Sequence, residues 1–168
     1  IYAENLHIKD GVMLFAEAGA EATVLELPNV PFGVTFGKDA AIVGFTIRGG
    51  QQALYNMGNF FGVFECVITN FSQIGINVEK GSAAIMYNQI SGSNVTLGIN
   101  CTEANPYVGY NLIENNHTGF QVCRFLVPTL DHNIFRNNQI GVNSGDGTEI
   151  LMLSNIFDGN GQNAVGVT

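Results

Sequence analysis

The sequence predicts an all-β fold in which one chain coils about seven to eight times into a solenoid, and three observations support this fold class. A short strand that starts with Gly or Ala returns about every 22 residues. A row of Ile and Phe residues recurs in step with that strand. No segment longer than about two turns has the 3.6-residue period of an amphipathic helix. A repeat of this length is typical of proteins whose coils bury their apolar faces against one another.

The first row consists of strands with a small leading residue and apolar residues behind it. Side chains alternate between the two faces of a strand, so the third residue of each repeat is expected to point outward. The repeats begin at Gly11, Gly33, Ala53, Gly75, Gly98, Gly119, Gly141 and Ala164. The expected outward residues are Met13, Thr35, Tyr55, Asn77, Asn100, Gln121, Asn143 and Gly166.

The second row predicts the core and a turn. Its members are Ile47, Ile68, Ile90, Ile113, Phe135 and Phe157. Five positions earlier stand Ile42, Val63, Ile85, Val108, Leu130 and Met152, and two positions earlier stand Phe45, Cys66, Asn88, Asn111, Asn133 and Asn155. Both sets are expected to face inward. They lie an odd number of positions apart, and in one straight strand such residues would point to opposite faces, so the chain must turn between them. We predict that the asparagines support this turn, because Asn tolerates the left-handed backbone and pairs turn amides with its side chain. We also predict that they bond to one another along the solenoid.

The combined pattern resembles a known family. Asn-x-Ile/Phe, a short polar stretch and then Gly-hydrophobic-x-hydrophobic are similar to the coils of the right-handed parallel β-helix in the pectin-lyase-like superfamily, over nearly the whole chain. Residues 2–12 are similar to the first full coil of many members. The resemblance implies a right-handed, single-stranded parallel β-helix. It leaves the activity open, because that superfamily includes lyases, hydrolases, esterases, epimerases, phage tailspikes and catalytically silent domains.

We expect residues 1–168 to form a single parallel β-helix domain without terminal caps. The chain starts at Ile1 within the first coil and ends on a strand at residues 167–168, and no amphipathic helix is predicted at either end. Open strand edges invite pairing with another chain. The sequence therefore predicts a processed, excised or self-assembling chain, which contacts copies of itself or the rest of a longer parent chain.

Charge limits the range of partners. The formal net charge is −8, with six Lys and Arg residues in all. Phosphate groups are bound by basic surfaces, so neither nucleic acid nor an anionic membrane surface is an expected partner. No apolar run approaches the length of a membrane-spanning helix, and membrane insertion is not predicted.

Sequons bear on the location of the protein. Four Asn-x-Ser/Thr sequons start at Asn70, Asn94, Asn100 and Asn116. They indicate either turn chemistry in an Asn-rich solenoid or a secreted glycoprotein. We expect an extracellular or cell-surface location.

The outward row is the first candidate site, because the resemblance implies that a polysaccharide lies across it. Amides hydrogen-bond sugar hydroxyls but cannot act as a general acid or base. Glu79 and Asp146 are three coils apart, or about 14 Å, too far for the carboxylate pair of a glycosidase. The row is therefore predicted to bind carbohydrate or to be a solvated polar face. Its candidate binding residues are Tyr55, Asn77, Asn100, Gln121 and Asn143.

The second candidate site is the turn row, three residues before the Ile and Phe row. Tyr87, Tyr110 and His132 are expected to stack about one coil apart and to offer aromatic surface to a sugar. Asp131, His132 and Arg136 are candidates for acid–base catalysis. The sequence Leu-Asp-His-Asn at residues 130–133 is similar to the Asp-Pro-His-Asp motif of alginate epimerases of this fold, without its proline and final aspartate. A solvated turn is the alternative.

An apolar stripe is predicted where polar residues would be expected. Leu112, Ile134 and Ile156 each precede a member of the Ile and Phe row and should point outward on successive coils. Exposed apolar patches mark contacts with another surface, so these residues are candidates for self-association. A covering loop is the alternative.

The cysteines predict no metal site, and one acidic turn leaves calcium as an alternative. Cys66 and Cys101 are expected to be buried as small apolar residues, and Cys123 is expected to face outward, so no disulfide is predicted. No cofactor is predicted. Residues 146–149, Asp-Gly-Thr-Glu, would offer oxygen ligands to calcium or form a polar turn.

Two functions of different class remain. The first is a non-catalytic extracellular β-helix module with a structural, self-assembly or carbohydrate-binding role. The second is a polysaccharide-active lyase, hydrolase or epimerase. The missing acid–base pair on the outward row favours the first.

Overall fold

A computed structural model describes residues 1–124 and 126–167, which wrap as a parallel β-solenoid around one apolar core. Strands of successive coils pair in register and stack into three parallel sheets. Sheet A contains β1 (Tyr2–Ala3), β4 (Val24–Leu27), β7 (Thr46–Gly49), β10 (Val67–Thr69), β12 (Gln89–Ser91), β15 (Leu112–Glu114), β18 (Ile134–Arg136) and β21 (Ile156–Asp158).

The other two sheets share one long strand. Sheet B contains β2 (Leu6–Ile8), β5 (Phe32–Phe36), β8 (Gln52–Met57), β11 (Ile74–Met86), β13 (Leu97–Ala104), β16 (Thr118–Cys123), β19 (Ile140–Ser144) and β22 (Gln162–Val165). Sheet C contains β3 (Met13–Phe15), β6 (Ala40–Val43), β9 (Phe60–Phe64), the second half of β11, β14 (Tyr107–Gly109), β17 (Thr129–Asp131) and β20 (Leu151–Leu153). The all-β parallel solenoid predicted from the repeat is confirmed.

The core follows the two predicted apolar rows. Ile47, Ile68, Ile90, Ile113, Phe135 and Phe157 pair one to the next along sheet A, and the first five are fully buried. The row five positions earlier pairs along sheet C. Leu25 begins the first row and Leu14 the second. Each buried aliphatic side chain of this size contributes about 1.5–3 kcal/mol, so the two rows hold the coils together.

The turn between sheets C and A lies between the two sets of inward residues, where the sequence predicted it. One residue in each coil there has a positive φ, and these residues are Gly44, Glu65, Tyr87, Tyr110, His132 and Ser154. The left-handed residue is the one before each Asn, so the turn does not use the tolerance of Asn for this conformation. The Asn side chains pair backbone groups inside the turn, as expected.

The inward Asn row is a hydrogen-bonded ladder, as predicted. Oδ1 of Asn111 accepts the backbone N–H of Asn88 at 2.9 Å and its side-chain amide at 3.0 Å. The same amide of Asn88 donates to the carbonyl of Val63 at 3.0 Å. The pattern repeats through Asn133 and Asn155. Each Asn thus connects the turn of its own coil by hydrogen bonds to the two adjacent coils.

A second Asn ladder supports the turn between sheets A and B. Oδ1 of Asn138 accepts both the backbone N–H and the side-chain amide of Asn116, at 3.0 and 3.2 Å. Asn160 accepts in the same way from Asn138. Sequence reasoning missed this ladder, although its members stand three positions after Ile113, Phe135 and Phe157.

The leading glycine of each repeat has a packing cause. A Cβ at Gly98 would lie 2.6 Å from the carbonyl oxygen of Gly119 and 3.0 Å from Cγ2 of Ile113. Gly75, Gly119 and Gly141 have equivalent close neighbours. The strand therefore enters sheet B so close to sheet A and to the next coil that a side chain does not fit.

The register of the first and last coils differs from the prediction. Gly11 does not lead a strand of sheet B, because residues 13–15 pair with β6 in sheet C and His7 pairs with Thr35 instead. The first coil is longer than 22 residues because it contains a turn-rich loop over residues 17–22. This loop shifts the strands of the first coil away from the positions that a 22-residue period predicts. At the other end Asn143 pairs with Val165, so Gly166 is not in the outward row. Strand β22 ends at Val165, and Thr168 lies outside the described residues.

The cysteines lie where the repeat put them. Cys66 and Cys101 are buried, Cys123 is half-buried beside Thr102, and all three are free thiols. Burial raises the pKa of the Cys66 thiol to about 11. Within the described part of the chain no helix is long and apolar enough to span a bilayer.

Candidate functional site

The outer row of sheet B is an amide ladder. Tyr55, Asn77, Asn100, Gln121 and Asn143 lie on successive strands in register. The side-chain amide of Asn100 donates to Oδ1 of Asn77 at 2.9 Å, and that of Gln121 donates to Oδ1 of Asn100 at 3.5 Å. Asn77 in turn donates to Gln52 at 2.8 Å. Much of the hydrogen-bonding capacity of this row is therefore used within the chain. Its role in carbohydrate binding stays a prediction.

Tyr55 lies at the edge of this row and is also held by neighbours. Its ring stacks on Phe32 with centroids 4.2 Å apart. Its hydroxyl donates to Oε2 of Glu79 at 3.1 Å, while Oε1 of Glu79 accepts from Asn77 at 3.2 Å. Burial and the Glu79 carboxylate raise the pKa of Tyr55. Glu79 therefore serves as an acceptor inside the row.

The turn row contains the predicted aromatic stack. The rings of Tyr87 and Tyr110 have centroids 5.2 Å apart, and those of Tyr110 and His132 have centroids 5.0 Å apart. The planes are tilted by 18° and 11°. Both faces of the Tyr110 ring are therefore covered by its neighbours. A sugar stacks on an open ring face, so within the trio only the two end rings have a face that the other members leave uncovered.

Asp131 is the centre of a small polar network. The hydroxyl of Tyr107 donates to its Oδ2 at 2.6 Å, and Nδ1 of His132 lies 2.6 Å from its Oδ1. These hydrogen bonds, the one from Tyr107 first, lower the pKa of Asp131. The same contact raises the pKa of Tyr107 to about 12. A carboxylate with a lowered pKa is a weak base and a poor proton donor near neutral pH.

Arg136 is not part of this network. Its Nε and Nη2 both bond Oε2 of Glu114, at 3.0 and 2.6 Å. Glu114 is buried and also accepts from Gln89 at 3.0 Å. The structure thus brings together two of the three catalytic candidates, Asp131 and His132, and pairs the third with another carboxylate.

The acidic turn after β19 uses its carboxylate within the chain. Oδ2 of Asp146 accepts the backbone N–H of Arg124 at 2.6 Å, and Oδ1 accepts from Thr148. The hydrogen bonds from Thr148 and Arg124 lower the pKa of Asp146. No group of three or more His, Cys, Asp or Glu side chains in the described ranges is arranged to hold a metal ion.

The stripe on sheet A lies in register on the last three strands. Leu112 pairs with Ile134, and Ile134 pairs with Ile156. Leu112 is half-buried, Ile134 is 37% exposed and Ile156 is 57% exposed. A charged row borders the stripe, in which Glu114 is followed by Arg136 and Asp158. Whether the stripe binds a partner stays a prediction.

Sheet C has an apolar outer face that sequence reasoning missed. Two outward residues per strand form this sheet C face, which comprises Met13, Phe15, Ala41, Val43, Gly62, Phe64, Ala84, Met86, Tyr107, Gly109, Thr129, Asp131, Leu151 and Leu153. Met13 and Phe15 are 63% and 60% exposed. The sequence pattern that could have revealed this face is the set of residues four and six positions before the Ile and Phe row. The residue between them, five positions before that row, points inward, so these two point outward.

The four sequons lie in different surroundings. Asn116 is buried in the second Asn ladder, and the amide of Asn100 donates within the outer row. Asn70 and Asn94 are exposed. Only the last two have the exposure that a glycan on the folded chain requires.

Comparison with known proteins agrees with the coil pattern. A family described as "Right handed beta helix region" matches residues 33–168. No curated protein and no solved structure gives a match.

Proposed function

Because the chain belongs to the right-handed β-helix family, we propose that it is a non-catalytic β-helix module with a structural role that associates with copies of itself outside the cell or at its surface. One contrast between its faces carries the proposal. The polar rows of sheets A and B are bonded within the chain, whereas the sheet C face is apolar and exposes large side chains on its first and last strands, namely Met13, Phe15, Leu151 and Leu153. Rows of this kind stiffen a rod, and an open apolar face suits contact with another surface.

The acidic side chains support a non-catalytic role. A glycosidase needs a carboxylic acid that stays protonated near neutral pH beside a second, ionised carboxylate. The pKa values of Asp131, Glu103 and Asp146 are instead lowered by hydrogen bonds. Each of these carboxylates has a bonded partner in the chain, so each acts as a fixed acceptor.

An activity assay tests this role. Pure protein should release no product from pectate, alginate or related uronans, with or without calcium. Turnover that is lost in Asp131→Asn or His132→Ala, and kept in the control Arg48→Gln on sheet A, would contradict the proposal. The function would then be that of a polysaccharide-active enzyme with its site in the turn row.

Carbohydrate binding is the second candidate, and the exposure of the aromatic stack favours it. Tyr87 lies at one end of the stack and is 55% exposed. A glycan-binding screen tests this role. Retention on a polysaccharide that Tyr87→Ala abolishes, and that the exposed control Phe60→Ala keeps, would make the turn row a binding surface.

A further inference from the structure

We propose that two copies of the chain pack side by side through the sheet C face. The inference rests on the proposed structural function and identifies the surface that serves it. The predicted stripe on sheet A is a different surface, so the two can be tested separately.

Charge distinguishes the three outer faces of the solenoid. Sheet A has ion pairs between Arg48 and Glu26 at 3.1 Å and between Arg136 and Glu114 at 2.6 Å. Sheet B has its amide ladder. Among the outward residues of sheet C, only Asp131 carries a formal charge, and it is paired with Tyr107 and His132. Removing the sheet C face from water therefore requires little desolvation of charge.

The sheet C face is also flat at its centre. The ring of Phe64 lies over Gly62, and the ring of Tyr107 lies over Gly109, because a Cβ at either glycine would collide with that ring. Each ring fills the space that its glycine leaves. A flat apolar face packs well against another sheet, at a spacing of about 10 Å.

A second copy is the partner that fits this face. Two chains of charge −8 repel each other, and they come into contact most easily through a face with little charge. Six spacings of about 4.8 Å make the face about 30 Å long, and its three-residue strands make it about 10 Å wide. The sheet C face alone therefore contributes about 300 Å² per copy, or about 600 Å² in total, which is the size of a weak, reversible contact.

A two-fold axis parallel to the solenoid axis gives the best complementarity. Each coil then faces the same coil of the second copy. The first outward residue of a sheet C strand lies opposite the second outward residue of the same strand in the other copy. Met86 meets Ala84 of the other copy, and the carboxylate of Asp131 meets the hydroxyl of Thr129. An antiparallel arrangement would place Asp131 against Val43, which leaves a charge facing an apolar group.

Sedimentation equilibrium of single variants tests the surface. Met86→Lys and Leu153→Lys should each weaken dimerisation by about tenfold or more, because each buries a charge at the interface. Ile134→Lys, on the stripe of sheet A, tests the competing surface. The matched control is Val95→Lys, whose side chain is 76% exposed outside both faces, and it should stay close to the unmodified protein. The side chains of Met86, Leu153 and Ile134 point outward, and Leu153 is 44% exposed, so melting curves should remain cooperative.

The outcomes separate the inference from the proposed function. If only Ile134→Lys dissociates the dimer, the sheet C face is the wrong surface while the structural role stands. If the unmodified protein degrades a polysaccharide, the proposed function fails whichever face dimerises.

Cross-linking tests the direction of packing. In the proposed arrangement, Leu153→Cys places two thiols on the same coil, within reach of a short bismaleimide cross-linker. In the antiparallel arrangement they lie about 30 Å apart, at opposite ends of the interface. The unmodified chain, in which Cys123 is the one half-buried thiol and the other two are buried, is the control. Cross-linked dimer from the Leu153→Cys variant alone supports the axis, and its absence overturns it.

Discussion

The side-chain oxygen of Asn133 accepts both the backbone N–H and the side-chain amide of Asn111, each at 3.0 Å. Asn133 also donates to the carbonyl of Val108 at 2.8 Å. Replacing Asn133 with Leu leaves these buried groups without partners and should lower the free energy of unfolding by about 1–3 kcal/mol. Urea denaturation measures this change. An unchanged midpoint would show that the ladder does not stabilise the turn, and Asn143→Leu on the outer row is the control.

The leading glycine of a repeat gives a second prediction. Gly98→Ala puts a methyl group against the carbonyl of Gly119 and the side chain of Ile113, and should destabilise the fold by about 1–3 kcal/mol. Gly145→Ala is the matched control, since the nearest atom to its Cβ is 3.8 Å away. Thermal unfolding of the two variants makes the comparison. Equal melting temperatures would mean that the strand entry has room for a side chain.

The fold could be predicted because its repeat is visible in residue types that serve packing. Ile47 and its successors are apolar in every coil, and Asn88 and its successors are needed to pair turn amides, so both rows mark the coils. The register of the first coil could not be predicted, because a longer loop before Thr23 breaks the period. The 22-residue period therefore placed Met13 in sheet B, whereas Met13 lies in sheet C.

The candidate surfaces were harder to predict than the fold. The outward position of Asn77 follows from strand alternation, but its donation to Gln52 depends on rotamers that no spacing encodes. The pairing of Arg136 with Glu114 arises because both stand one position after the Ile and Phe row on adjacent coils. The predicted group with Asp131 and His132 was based on closeness in sequence alone.

The hydrogen bond between Tyr107 and Asp131 gives a third prediction. Tyr107→Phe removes the donor that contributes most to the lowered pKa of Asp131, so that pKa should rise. Titration of the carboxyl carbon by NMR measures it. Tyr55→Phe, which removes a hydroxyl bonded to Glu79, should leave the Asp131 titration unchanged. An unchanged pKa in Tyr107→Phe would contradict the network.

Acid stability gives a fourth prediction. The pKa of Asp146 is lower in the folded chain than its ordinary value, so its contribution to stability is present above about pH 3.9 and is lost as the pH falls through the folded value. Asp146→Asn removes this titrating group. The unmodified protein should therefore lose more stability than Asp146→Asn as the pH is lowered below about 4. Parallel curves for melting temperature against pH would show that the turn does not depend on the ionised carboxylate.

The central claim is that the chain is a structural module that associates through its own surface. The most direct test is the mass of the unmodified protein in sedimentation equilibrium, from low micromolar to near-millimolar concentration. The account predicts a reversible shift from monomer to dimer across that range. A protein that remains monomeric at the highest concentration would contradict it.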